Sequence, residues 1–196
     1  AVMCGVLVAG PYTGAHLNPA VTIGLATAGL FAWSGVVPYI IGQMVGGFIG
    51  AVFTWLFYKD HFDATEDQAA KLAVFCTAPA IRNFKSNLFC EIMGTFILVT
   101  VILLIGENNN GLPGMGAIGA LPVTFLIVAI GMSLGGTTGY AINPARDLSP
   151  RLAHAMLPIR NKGTSDWEYS WVPVVGPIAG CLIAAWAYLL IKGLLH

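Results

Sequence analysis

The sequence predicts an all-α membrane protein, built as an inverted repeat of transmembrane helices with two re-entrant half-helices. Three observations lead there. Of its 196 residues, 57% are hydrophobic and only 9% charged, against roughly 45–50% and about 25% in soluble domains. The apolar residues gather into several runs of about 20, the length a helix needs to cross a bilayer. The triplet Asn18-Pro19-Ala20 recurs as Asn143-Pro144-Ala145, each with a glycine a turn ahead, Gly14 and Gly139. The formal net charge is zero with no basic run, which gives no footing for nucleic acid or a polybasic lipid anchor. Cys4, Cys76, Cys90 and Cys181 have no CxxC spacing and read as packing thiols.

Each element has its own justification. Residues 1–9 are apolar but too short to span the bilayer at 1.5 Å per residue, so they read as the end of a helix. Residues 10–14, Gly-Pro-Tyr-Thr-Gly, break the pattern as a loop. Asn18 is a good N-cap, and Pro19 in the first helical position lacks only an N–H that would be unpaired there. A short helix follows to about Ala28, roughly half a bilayer long at about 15 Å. A full span covers 34–58, with Gly42, Gly46 and Gly50 as a small-residue row for close helix approach and Gln43 as its polar member. Residues 59–85 hold Asp60, Asp63, Glu66, Asp67, Lys71 and Arg82 and read as an aqueous loop.

A second span covers 87–105 with Glu91 near its start, and residues 107–114, dense in turn formers, close it. A third runs over 117–134 and includes Gly131. Residues 135–140 again read as a loop, after which Asn143 caps and Pro144 opens a second short helix to about Met156. A polar link at 160–168 leads to a last span over 171–191, where Gly176 and Gly180 repeat the spacing of Gly42 and Gly46. Trp33, Trp55, Trp167 and Trp171 lie near span ends as interface anchors.

The order loop, half-helix, span therefore occurs twice, an internal duplication. Three spans separate the first half-helix from the second, so the two enter from opposite faces, as in many membrane carriers and channels. The whole of 1–196 reads as one domain, with 1–58 an incomplete first repeat, 59–85 a connection and 86–191 the second repeat. Residues 85–141 lead into the second Asn but only 1–17 into the first. The shortfall of roughly 40 residues, at about 20 per span, predicts a fragment that lacks its first span, the start of its second and the counterpart of Glu91.

Irregular backbone at membrane depth survives only where protein buries it or where it lines a water-filled cavity. Two such loops meeting tip to tip predict a pore. Gly14, Ala15, His16 and Leu17 on one side, and residues 139–142 including Tyr140 and Ala141 on the other, would present a row of carbonyl acceptors, with Asn18 and Asn143 as donors at the meeting point. Both half-helix N-termini aim about half a positive charge at the centre, which favours a neutral solute over a cation. Arg146 adds a full charge and five donors, and a buried intramembrane Arg reads as functional.

Asp147 is placed to cap its own half-helix or to pair with Arg151 one turn on. Glu91 reads as a loop anchor, since a proton relay needs more than one intramembrane carboxylate. His16 has no second ligand at metal spacing and reads as a pore-wall or loop-bracing group. No metal or cofactor is expected. An enzyme is disfavoured because no nucleophile and base stand together in the spans.

The paired stretches 14–22, Gly-Ala-His-Leu-Asn-Pro-Ala-Val-Thr, and 139–147, Gly-Tyr-Ala-Ile-Asn-Pro-Ala-Arg-Asp, resemble the signature of the aquaporin and glycerol-facilitator family. The resemblance implies an aquaporin-like fold of six spans and two half-helices in the lipid bilayer, usually a homotetramer with a pore in every subunit. It also implies a branch. Gly131 stands where water-only members typically carry His, which implies a wider constriction, and Tyr140 stands where glycerol facilitators commonly carry Phe. Asp147, Arg151 and Pro173 match the glycerol-type pattern. The implied function is passive passage of glycerol and other small neutral solutes, with water, across the plasma membrane. A second aromatic wall of the filter would lie upstream of Ala1. A water-selective channel is the nearest alternative, and an inverted-repeat secondary transporter a more distant one. The family arrangement places 59–85 and 160–168 outside, although they carry most of the Lys and Arg and the positive-inside tendency points the other way.

Overall fold

The computed structural model describes residues 1–108 and 119–195. Its helices are α1 (Val2–Thr13), α2 (Pro19–Thr27), α3 (Trp33–Phe57), α4 (Lys59–Ala64), α5 (Gln68–Phe75), α6 (Phe84–Asn108), α7 (Leu121–Thr138), α8 (Pro144–Met156) and α9 (Val172–Leu195). Among the described residues α3, α6, α7 and α9 are long and apolar enough to cross a membrane. The predicted turn after α6 and the first residues of the third span fall largely outside the described residues.

Two expected loops are shorter than the sequence suggested. Residues 10–13 continue α1 through Pro11, and residues 135–138 continue α7. Glycine and proline weaken a helix in water, but between packed neighbours the turn still forms, and termination waits for a left-handed residue. That residue is Gly14 (φ 67°), whose N–H donates to Gly10 O at 3.0 Å, and Gly139 (φ 73°), whose N–H donates to Gly135 O at 2.9 Å. Irregular backbone is thereby confined to 14–18 and 139–143. The stretch 59–85, expected as a loop, folds part of its length into α4 and α5, with Asp67 Oδ1 capping α5 at Ala69 N, 2.8 Å.

Both half-helices start as their sequences require. Asn18 and Asn143 are extended (φ −153° and −155°) and their Oδ1 atoms accept from Ala20 N at 2.9 Å and from Ala145 N at 3.0 Å. Each half-helix then crosses to the other repeat, α2 packing on α9 and α8 on α3. The crossings use complementary sizes. At the first, Gly24 meets Cys181, where an added Cβ would lie 3.5 Å from Cys181 Cβ. At the second, Ser149 occupies the space left by Gly47, and an added Cβ there would lie 3.3 Å from Ala145 O. The row Gly42, Gly46 and Gly50 was expected to admit a helix, yet among the described residues nothing lies within 4 Å of a Cβ built on any of them. The close approach falls one position over, at Gly47, because that residue faces α8. In α9 the expectation matches the packing: a Cβ on Gly176 would stand 2.6 Å from Glu91 Cβ on α6. The core between α2, α6 and α9 is built from Ala20, Val21, Leu98, Val99, Cys181 and Ala184.

Candidate functional site: two loops meeting inside the bundle

The crossing of the half-helices brings Asn18 and Asn143 together, and each amide locks the opposite loop. Asn18 Nδ2 donates to Ile142 O at 2.8 Å and Asn143 Nδ2 to Leu17 O at 2.9 Å. A primary amide carries two Nδ2 hydrogens, so each Asn keeps one beyond this cross-brace. The expected carbonyl row is only partly free. Ala15 O accepts from Leu17 N, His16 O from Gln43 Nε2, and Leu17 O and Ile142 O from the two Asn side chains. Tyr140 O and Ala141 O accept from no described residue.

The second loop is held by a carboxylate from α6. Glu91, 1% exposed, accepts from Ala141 N with one oxygen at 3.0 Å and from Ile142 N with the other at 2.7 Å. These bonds matter because Tyr140 and Ile142 have φ of 39° and 42°. Side chains rarely adopt this left-handed region, least of all a β-branched one, and such strain persists only where the surroundings impose it.

Asp147 turns away from the pore. Its Oδ2 accepts from Thr77 N and Thr77 Oγ1, both at 2.7 Å, and its Oδ1 accepts from Arg151 Nε at 2.9 Å. Of the two partners open to it from sequence, Arg151 is the one it takes. The cap of α8 is supplied by Asn143. Arg151 is fully buried and well paired: its Nη1 donates to Ser165 O and Asp166 O, both at 2.8 Å, its Nη2 donates to Thr77 O at 3.0 Å, and Nη2 lies in ion-pair contact with Asp147 Oδ1 at 2.8 Å. At the other end of α8, Lys162 Nζ donates to His154 O, Ala155 O and Leu157 O at 2.7–2.8 Å, opposing the negative end of the helix dipole. Thr77 and Lys162 were missed in the sequence. A lysine just past a helix end is a readable signal, whereas the partner of Thr77 lies in another element.

Tyr140 and Arg146 face a cavity of about 420 Å³, walled elsewhere by Val6, Leu98, Val123 and Ile127 and bordered by Ala15, Asn18 and Ala141. Tyr140 lies flat on α7. A Cβ on Gly131 would stand 3.0 Å from its Cζ and one on Gly135 2.7 Å from its Cδ1. The space that Gly131 leaves is therefore filled by the Tyr140 ring. Arg146 is exposed to the cavity, and no described residue accepts from its guanidinium. Leu17, Asn143 and Arg146 also border a second, open groove of about 540 Å³ between α1 and α3. His16 belongs to that groove and not to the cavity with Tyr140. Its ring sits edge-on to Phe31 and Tyr39 at 4.8 and 5.2 Å. Gly14 borders neither space and acts as the αL cap of α1.

Four apolar helices, two capped half-helices crossing between repeats and a polar seam through their meeting point define an inverted-repeat membrane channel. The chain belongs to the major intrinsic protein family, whose model matches residues 1–188. It is 53% identical over 188 residues to the probable glycerol uptake facilitator protein of Thermotoga maritima, covering 96% of this chain and 79% of that protein. It is 50% identical over 184 residues to the glycerol uptake facilitator protein of Streptococcus pneumoniae strain R6, covering 94% and 77%. Among solved structures it is similar to the aquaglyceroporin from Plasmodium falciparum, with a TM-score of 0.82 and 32% identity over 95% of this chain and 76% of that one. The family is one of channels and facilitators integral to the membrane.

Proposed function

We propose that this chain conducts glycerol and other small neutral solutes, together with water, passively across the membrane. It excludes ions and protons and works within a homotetramer. The observation that carries this reading is the pairing of Arg146 and Tyr140 in one cavity, the guanidinium without a protein acceptor and the ring fixed against α7. A fork of free N–H groups beside an aromatic face suits a polyol, whose hydroxyls lie along one edge and whose carbons lie along the other. Below them the remaining Asn18 and Asn143 hydrogens and the carbonyls of Tyr140 and Ala141 offer alternating donors and acceptors to a single file. The two half-helix N-termini and Arg146 repel cations and hydronium. The glycerol facilitators among its relatives support the same solute class.

Vesicles holding the purified protein should swell in an inward glycerol gradient at a rate independent of pH and sodium. Uphill accumulation of solute, or water flux with no glycerol flux, overturns the reading.

A further inference from the structure

Thr77 bridges the two ends of the filter from outside the pore. Its N–H and hydroxyl both donate to Asp147 Oδ2 at 2.7 Å. Its side chain also packs on Gly139, where an added Cβ would lie 3.3 Å from Thr77 Cγ2. Gly139 precedes Tyr140 and Asp147 follows Arg146. One residue, 5% exposed, thus touches the chain neighbour of each filter side chain. Three positions on, Ala80 N donates to Thr137 O at 3.0 Å, fastening the same segment to the end of α7.

The filter needs such support. Tyr140 and Ile142 both hold positive φ, a conformation that side chains keep only where the surroundings impose it. Glu91 and Asn18 restrain residues 141–142, leaving 139–140 to other contacts. No described residue accepts from the Arg146 guanidinium, so its place is inherited from the first turn of α8. Beyond the Asn143 cap, that turn is gripped through Asp147.

We infer that Thr77 is a positioning residue for solute selection, fixing Arg146 relative to Tyr140 chiefly through its hydroxyl bond to Asp147. The inference rests on the glycerol-channel reading. Its test compares glycerol and water permeability per reconstituted molecule for the wild type, Thr77→Val, Thr77→Ala and Thr77→Ser. The glycerol-to-water ratio should fall at least about tenfold in the Val and Ala variants, the scale expected when a hydrogen bond to a charged acceptor is lost, and stay within about twofold of wild type in Ser. An unchanged ratio in Val overturns the inference, as does an equal fall of both permeabilities, the mark of a merely structural role. A lowered ratio in Ser, which keeps the hydroxyl, also overturns it, and this arm decides alone should the hydroxyl-free variants not assemble. Wild-type vesicles that pass no glycerol would instead sink the channel reading, before any variant is compared.

Discussion

Around Asn18 the loop is held by neutral groups, whereas around Asn143 it is held by charged ones. Gln43 Nε2 donates to His16 O and, at 2.9 Å, to Thr22 Oγ1, and the His16 ring rests against Phe31 and Tyr39. Half-helix α2 itself contributes Ala20 and Val21 to an apolar core. The second loop leans on Glu91, and α8 carries Asp147 and Arg151 fully buried. Hydrogen bonds to charged groups stabilise by about 1.5–3 kcal/mol each, against about 0.5–1.5 for neutral ones. The stronger grip falls on the half that carries Arg146 and the strained Tyr140, where the proposed solute selection needs fixed geometry. The first half serves mainly as its partner, supplying Asn18 and Leu17 O.

The largest break in this comparison should come from Arg151→Ala. It strands the Asp147 carboxylate in a buried site and should destabilise the protein by about 3–5 kcal/mol, read as a lowered midpoint of thermal unfolding in detergent. Next come two matched deletions. Glu91→Leu leaves the Ala141 and Ile142 N–H groups unpaired at about 1–3 kcal/mol each, whereas Gln43→Leu removes neutral bonds of about 0.5–1.5 kcal/mol. Equal losses of stability in the two variants would remove the asymmetry on which the comparison stands.

Gly131→His sharpens the functional side of the contrast. The new side chain has to displace the Tyr140 ring, so glycerol flux should drop about tenfold, the size of a 1–3 kcal/mol overpacking effect, while water flux is largely kept. An unchanged ratio in vesicle assays would place selection elsewhere. The smallest effect concerns Cys76, beneath the charged half. Burial pushes its thiol up to about 12, so it should resist maleimide at pH 8 in the folded protein and react once unfolded. The neutral thiol favours the fold below its usual value near 9, and that contribution fades as pH rises from there toward 12.

Much of the frame was legible in the sequence because it rests on local chemistry. Asn18 and Asn143 are followed by proline, so both half-helix starts could be placed, and α8 ends at Met156 as its composition suggests. Glu91 could be marked because a lone carboxylate in an apolar span requires a partner. The loop boundaries were set too wide, since Gly10, Pro11 and Gly135 break helices in water but not where neighbouring helices enclose the turn. Gly42, Gly46 and Gly50 have helix-packing spacing, yet spacing does not say which neighbour a face meets, and Gly47 makes the contact.

By itself the sequence determined the class of protein, through its apolar runs, and the doubled pore motif, through Asn-Pro-Ala and its glycines. Those properties follow from hydrophobic length and backbone dihedral preference, which act within a few residues. Only the tertiary structure decided that each Asn amide reaches the opposite loop, that Tyr140 fills the space above Gly131, and that Thr77 joins Asp147 to Gly139. The first and last of these link residues far apart in the chain, the second folds a loop residue back over the helix it leaves, and which side chain fills which gap depends on how the half-helices cross.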